Sequence, residues 1–180
     1  MKLLLVNGEI AENGRGREAT DAAAEACEAA GCGAELFWPV KTKDMICSGC
    51  GSCGGAGLCI YDPRGMAFIK AANGSDALLF AVPVGFFGAS MDVRNLLRRA
   101  AAIAERCKTP PLAGKRAAVL LFGRKSGVGQ AERQLRMMFK GCGLQPAGAA
   151  PFAWLEAGEA RESAAAAVKS WLADFEEAER

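Results

Sequence analysis

A regular alternation restricts this chain more than any other feature: short apolar runs of β-strand character take turns with segments of helical period. The runs are residues 3–6, 35–40, 77–84 and 117–122, with a weaker one at 145–152. Between and after them the predicted helices cover 18–30, 65–72, 91–107, 128–140 and 161–179, the second behind an Asp62-Pro63 start signal. Runs that are apolar nearly throughout suit strands buried on both faces of a parallel sheet. Parallel neighbours need a crossover between them, and a helix supplies it. The pattern therefore predicts an α/β fold, a three-layer doubly wound sheet with helices on both faces. No linker or repeat divides the sequence, so residues 1–180 are expected to form a single domain.

Composition narrows the chemistry. With 22 Lys+Arg against 20 Asp+Glu and only 23% charged residues, the chain lacks the clustered basic excess of a nucleic-acid binder. The apolar run at the N-terminus is too short for a signal-peptide core. The longest apolar stretch, 77–89, is broken by Pro83, Gly85 and Gly88 and falls short of a membrane span. No nucleic-acid or membrane partner is expected, and the location expected is cytoplasmic. Histidine is absent, which removes Ser-His-Asp and Cys-His nucleophile pairs and His-ligated zinc. Cysteine, a carboxylate, lysine, the lone Tyr61 or a cofactor must carry any reaction.

Of eight cysteines, Cys47, Cys50, Cys53 and Cys59 crowd into one stretch of the loop 42–63, with two, two and five residues between them. Five of the nine other residues in that stretch are glycine, which lets a chain wrap closely around a compact ligand. Four thiolates are what a [4Fe-4S] cluster requires. A four-cysteine zinc site and a set of free thiols in a glycine loop are the alternatives, although structural zinc sites usually join two ligand pairs across a longer segment. Cys27, Cys32, Cys107 and Cys142 are scattered and read as small buried hydrophobes.

In an open parallel sheet ligands collect beyond the carboxyl ends of the strands, so the loops starting at Asn7, Thr42, Pro83 and Gly123 are the places to look. Gly8, Gly14 and Gly16 would let the first loop approach a phosphate at the start of a helix, or the same segment is a long solvated turn.

A strand ending in Asn7-Gly8, a turn at Asn13-Gly14, the CSGCGSCGGAGLC loop and a third strand running into Pro83-Val84-Gly85-Phe86-Phe87-Gly88 together resemble the iron-sulfur flavoproteins. Those belong to the wider group of NAD(P)H-dependent FMN reductases. The resemblance covers most of residues 1–145 and implies a flavodoxin-like fold with five parallel strands in the order 2-1-3-4-5. It implies FMN at the strand ends, a [4Fe-4S] cluster on Cys47, Cys50, Cys53 and Cys59, a homo-oligomer, and an electron donor such as NAD(P)H or ferredoxin. The phosphate would lie in the loop from Asn7 to Arg17, against Asn7, Gly8, Glu9, Asn13, Gly14, Arg15, Gly16 and Arg17. Pro83, Val84, Gly85, Phe86 and Phe87 would flank the isoalloxazine, with Gly123 to Gly127 on the other side.

The chain has Glu9-Ile10-Ala11 where the family usually continues with a hydroxyl residue, Pro and Arg, and Arg15-Gly16-Arg17 where a hydroxyl residue opens the first helix. A carboxylate facing the phosphate, offset in part by Arg15 and Arg17, leads to an expectation of weak, salt-sensitive FMN binding that Glu9→Ser tightens roughly tenfold or more. The function expected is electron transfer through FMN and one cluster. The alternative is a flavin-free metal or iron-sulfur module on the same fold. Because parallel strands exit together, the four cysteines are expected at the same sheet edge as Gly8 and Pro83.

Overall fold

The structure is a computed structural model that describes residues 1–9, 11, 13–39, 47–53, 59, 65–108, 110–147, 151–156 and 159–178. Its strands are β1 (Lys2–Asn7), β2 (Gly33–Phe37), β3 (Ala77–Gly85), β4 (Gly88–Ala89), β5 (Arg116–Gly123), β6 (Gln145–Pro146) and β7 (Phe152–Trp154). The helices are α1 (Arg15–Ala29), α2 (Gly65–Asn73), α3 (Met91–Ala104), α4 (Val128–Cys142) and α5 (Ala160–Ala178). The Asp62-Pro63 start signal lies outside the described residues.

All the described strands join one sheet in the order β2-β1-β3-β5-β6, with β7 also pairing with β5 and β4 folded back antiparallel on β3. The expected order 2-1-3-4-5 is thus present, the fourth place being taken by β5 and the fifth by the parallel pieces β6 and β7. Prolines at 146 and 151 interrupt that fifth place, because a residue without an N–H cannot extend the ladder. The second strand runs over 33–37 rather than 35–40, ending before Pro39 for the same reason.

Side chains alternate across the sheet with period two, and each face has its own helical cover. Leu4, Val6, Leu78, Phe80, Val82, Val119 and Leu121 pack with α2, α3 and α4. Leu3, Leu5, Leu79, Ala81, Ala118, Leu120 and Phe122 pack with α1 and α5. The alanine-rich stretches are the reason α1 and α5 lie together: Ala19, Ala22, Ala23 and Ala26 on one helix and Ala160 and Ala164 on the other are all buried. On the opposite face a line of rings, Phe37–Phe68–Phe80–Phe139–Phe152, has centroids 5.6, 6.4, 5.5 and 6.2 Å apart and ties β2 to β7 through the core.

Cys27 and Cys142 are buried as expected, and burial pushes their thiols up to about 11 and about 12. Cys32 and Cys107 are only half-buried. Among the described residues no helix is long and apolar enough to cross a membrane.

Candidate functional site at the strand exits

Because β1, β3 and β5 are parallel neighbours, their carboxyl ends open at one edge. The exits are drawn together by backbone contacts. The Gly8 N–H donates to the Ala81 carbonyl at 2.8 Å, and the Arg124 N–H donates to the Val84 carbonyl at 2.9 Å. A Cβ at Gly8 would stand 2.5 Å from Val93 Cγ2 on α3, and one at Gly127 would stand 2.8 Å from Val84 Cγ1. Glycine at these positions is what lets the three exits close on one another.

Pro83 and Val84 are inside β3, the first half-buried and the second buried. Gly85 faces open space, and Phe86 and Phe87 form the exposed tip of the β3–β4 hairpin at 65% and 87% exposure. The hairpin is held from two sides. The Arg124 guanidinium lies 4.0 Å over the Phe86 ring, and Gln134 on α4 donates to the Phe87 carbonyl while accepting from the Ala89 N–H.

The first loop is organised around Glu9. Its N–H donates to Asn7 Oδ1 at 3.0 Å, and its carbonyl accepts from the Trp38 indole N–H at 2.6 Å. Its side chain turns back to the start of α1, where Oε2 accepts from the Gly16 N–H at 2.5 Å. A Cβ at Gly16 would meet Asn7 Oδ1 at 2.6 Å and Glu9 Cβ at 2.8 Å, and one at Gly14 would collide with the Glu9 carboxylate. The glycines expected to admit a phosphate therefore close around a side chain. Asn7 is fully buried, and its Nδ2 has no hydrogen-bond partner among the described residues. Arg17, expected to offset Glu9, pairs with Asp21 one helical turn on at 2.9 Å. Asn13 is exposed and Arg15 half-buried, and neither has a hydrogen bond or ion pair among the described residues. Ile10 and Glu12 lie outside the described residues.

Cys47, Cys50, Cys53 and Cys59 line one small cavity, together with Arg99, Ala102, Ile103 and Arg106 of α3 and its C-terminal turn. Cys53 is half-buried with its thiol 3.7 Å from the Ala102 carbonyl, and the Cys59 N–H lies 3.4 Å from Met66 Sδ. Cys50 is exposed, and the Ser52 hydroxyl hydrogen bond lowers its thiol below the usual range. Among the described residues, no three cysteine or carboxylate side chains converge to hold a metal ion. Much of the loop 42–63 lies outside the described residues.

Contrary to expectation, the cavity does not share the edge with the β1, β3 and β5 exits. Gly8 packs at Ser90 and Val93, where α3 begins, whereas the cysteines sit on the second half of the same helix. At 1.5 Å per residue the two places are about 15 Å apart along α3. The reason is the crossover: α3 runs back towards the start of the strands, and the cysteine segment docks on its far half.

Four contributors escaped the sequence reading. Trp38 bonds the first loop from a position 29 residues away. Gln134, Arg99 and Arg106 carry no local signal, because each acts on a segment distant in sequence. Asn7 was anticipated, but the burial of its Nδ2 without a partner among the described residues was not legible from sequence.

The family description "NADPH-dependent FMN reductase" matches residues 1–159. No curated protein matches the chain significantly. Among solved structures, a flavone reductase is similar with a TM-score of 0.72 at 13% identity, covering 97% of this chain and 63% of that one. The chain thus spans less than two-thirds of that protein. The flavoenzyme NAD(P)H:(acceptor) oxidoreductase FerB from Paracoccus denitrificans is similar with a TM-score of 0.68 at 13% identity, covering 98% and 97%. Oxidised flavodoxin 1 from Bacillus cereus is similar with a TM-score of 0.64 at 14% identity, covering 96% and 98%. At these identities the likeness is one of fold, and the fold is flavodoxin-like.

Proposed function

The chain belongs to the NADPH-dependent FMN reductase family, and from that membership we propose a flavoprotein oxidoreductase that seats its flavin at the β1, β3 and β5 exits and an iron-sulfur cluster in the cysteine cavity. The observation that carries the flavin half is the opening of three glycine-bearing exits at one edge of the sheet, with Asn7 at the β1 exit, whose buried amide N–H lacks a partner among the described residues. A buried donor left unpaired is costly, and a ligand oxygen would satisfy it.

The ring end of a flavin suits this edge. Gly85 leaves open space, Phe86 is held by Arg124, and the Gly123 to Gly127 turn stands opposite. The phosphate end does not suit the loop as it stands, because the Glu9 carboxylate already takes the Gly16 N–H. A flavin supplies hydride acceptance from a nicotinamide, and a cluster supplies one-electron storage. Asn7 would orient the flavin, and the β3–β4 hairpin would shield one side of it.

For the cluster, the residue set supports the reading: the four cysteines line a single cavity, and Arg99 and Arg106 beside them would offset the negative charge of thiolate-bound iron. With about 15 Å of α3 between the two places, direct contact of flavin and cluster within one chain is no part of this proposal. Free thiols are the second reading, favoured by the absence of three converging ligands among the described residues. Anaerobic purification followed by flavin, iron and acid-labile sulfide analysis tests both halves. About four irons and four sulfides per chain support the cluster, and zinc without sulfide, or no metal, overturns it. NAD(P)H oxidation that depends on added flavin supports the reductase reading, and its absence with every flavin overturns it.

A further inference from the structure

We propose that Glu9 sets flavin specificity by acting as the built-in anion of the α1 cradle, so that the site takes a flavin ending in a ribityl hydroxyl in preference to one ending in a phosphate. The inference rests on the flavin reading above and names the ligand class of that site.

The N-terminus of α1 offers free backbone N–H groups and the positive end of the helix dipole, where an anion is favoured. In this chain that anion is covalently supplied. Glu9 Oε2 takes the Gly16 N–H at 2.5 Å. Gly14 and Gly16 leave room for that carboxylate, since a Cβ at either would run into Glu9. The residue is held on both sides, by Asn7 Oδ1 at its N–H and by the Trp38 indole at its carbonyl. A competing phosphate could not shift the backbone of Glu9 without breaking those bonds. It would have to expel the side chain alone and then sit beside it.

Charge points the same way. From residue 9 to residue 21 the sequence holds four carboxylates, Glu9, Glu12, Glu18 and Asp21, against two arginines. Arg17 is committed to Asp21. A dianionic phosphate entering here meets an excess of negative charge, whereas a neutral ribityl end meets none. The buried Asn7 Nδ2 supplies the complement. Because Oδ1 is fixed by the Glu9 N–H, the other end of the amide is a donor, and a ribityl hydroxyl oxygen would satisfy it without bringing charge to the loop.

The test uses flavin-free full-length protein titrated with riboflavin and with FMN at low salt, followed by flavin fluorescence. Wild type is expected to bind riboflavin roughly tenfold or more tightly than FMN, the scale of one charge-assisted hydrogen bond exchanged for a like-charge contact. Glu9→Ser empties the cradle and should invert the preference, while Glu9→Gln should narrow it. A wild-type ratio near one, or one favouring FMN, overturns the proposal and leaves the flavin reading intact. Failure of wild type to bind either flavin overturns the flavin reading and the proposal with it. The wild-type ratio decides the matter even if a variant does not fold.

Discussion

Gly123→Ala probes the closure of the β3 and β5 exits at its tightest point. Gly123 has φ +112, a conformation that side chains rarely adopt, and a Cβ there would stand 2.7 Å from the Val84 carbonyl oxygen and 3.3 Å from the Val84 nitrogen. Ordinary contact begins at 3.4 Å, so the carbonyl must withdraw by about 0.7 Å. It cannot do so freely, because the same oxygen accepts the Arg124 N–H at 2.9 Å and Val84 is the residue paired with Gly123 in the ladder. Backbone strain of about 1–3 kcal/mol and overpacking of about 1–3 kcal/mol together predict a loss of about 2–6 kcal/mol. For a chain of this length that lowers Tm by about 4–24 °C. Gly129→Ala, six residues on, is the internal control. It lies in α4 with nothing within 4 Å of the added Cβ, and it should gain about 0.5–1 kcal/mol from helix propensity alone. Equilibrium urea unfolding of both variants measures the pair. A Gly123→Ala protein as stable as wild type would refute the close packing of the two exits.

Trp38→Phe keeps an aromatic ring but removes the donor to the Glu9 carbonyl, and should cost about 1 kcal/mol in the same unfolding assay. Cys50, exposed and held below the usual thiol range by Ser52, should be alkylated before Cys27 and Cys142 when metal-free protein is treated with iodoacetamide and mapped by mass spectrometry; Ser52→Ala should slow it. Cys27 and Cys142, raised by burial from 9.0 to about 11 and about 12, stay protonated in the folded chain after the unfolded chain ionises. Their contribution to stability is therefore complete below pH 9 and is lost as pH rises from 9 through those values, and Cys142→Ala should flatten that alkaline decline in urea unfolding.

The layers and the five helices were legible because apolar period distinguishes a doubly covered strand from a one-faced helix over five or more residues, whereas the strand order was implied only by the family resemblance. Where that length fails, so does the reading. The pair Gly88–Ala89 forms β4 through a turn that needs Gly88 at φ +106, and two residues carry no period. The fifth strand place is fragmentary for the same reason, with Pro146 inside one piece and Pro151 before the other. Helix α3 ends at Ala104 rather than 107, since the Arg106 and Cys107 N–H groups both turn to the Ile103 carbonyl.

The edge of the sheet was legible from topology, because parallel strands must release their loops together. What fills that edge is a tertiary matter. A carboxylate at position 9 predicts only that negative charge stands near a helix start; whether it faces an incoming phosphate or replaces it depends on the direction of the loop. That direction is set by two bonds to the Glu9 backbone, one from Asn7 nearby and one from Trp38 across β2. Without the second, the carbonyl of Glu9 would be released and its side chain could swing outward. The same reasoning separates the cysteines from the strand exits: their spacing groups four thiols in one loop, whereas the cavity they line with Arg99, Ala102 and Arg106 lies on the far half of α3. Spacing along the chain thus chooses the chemistry of each loop, and a residue distant in sequence chooses its position.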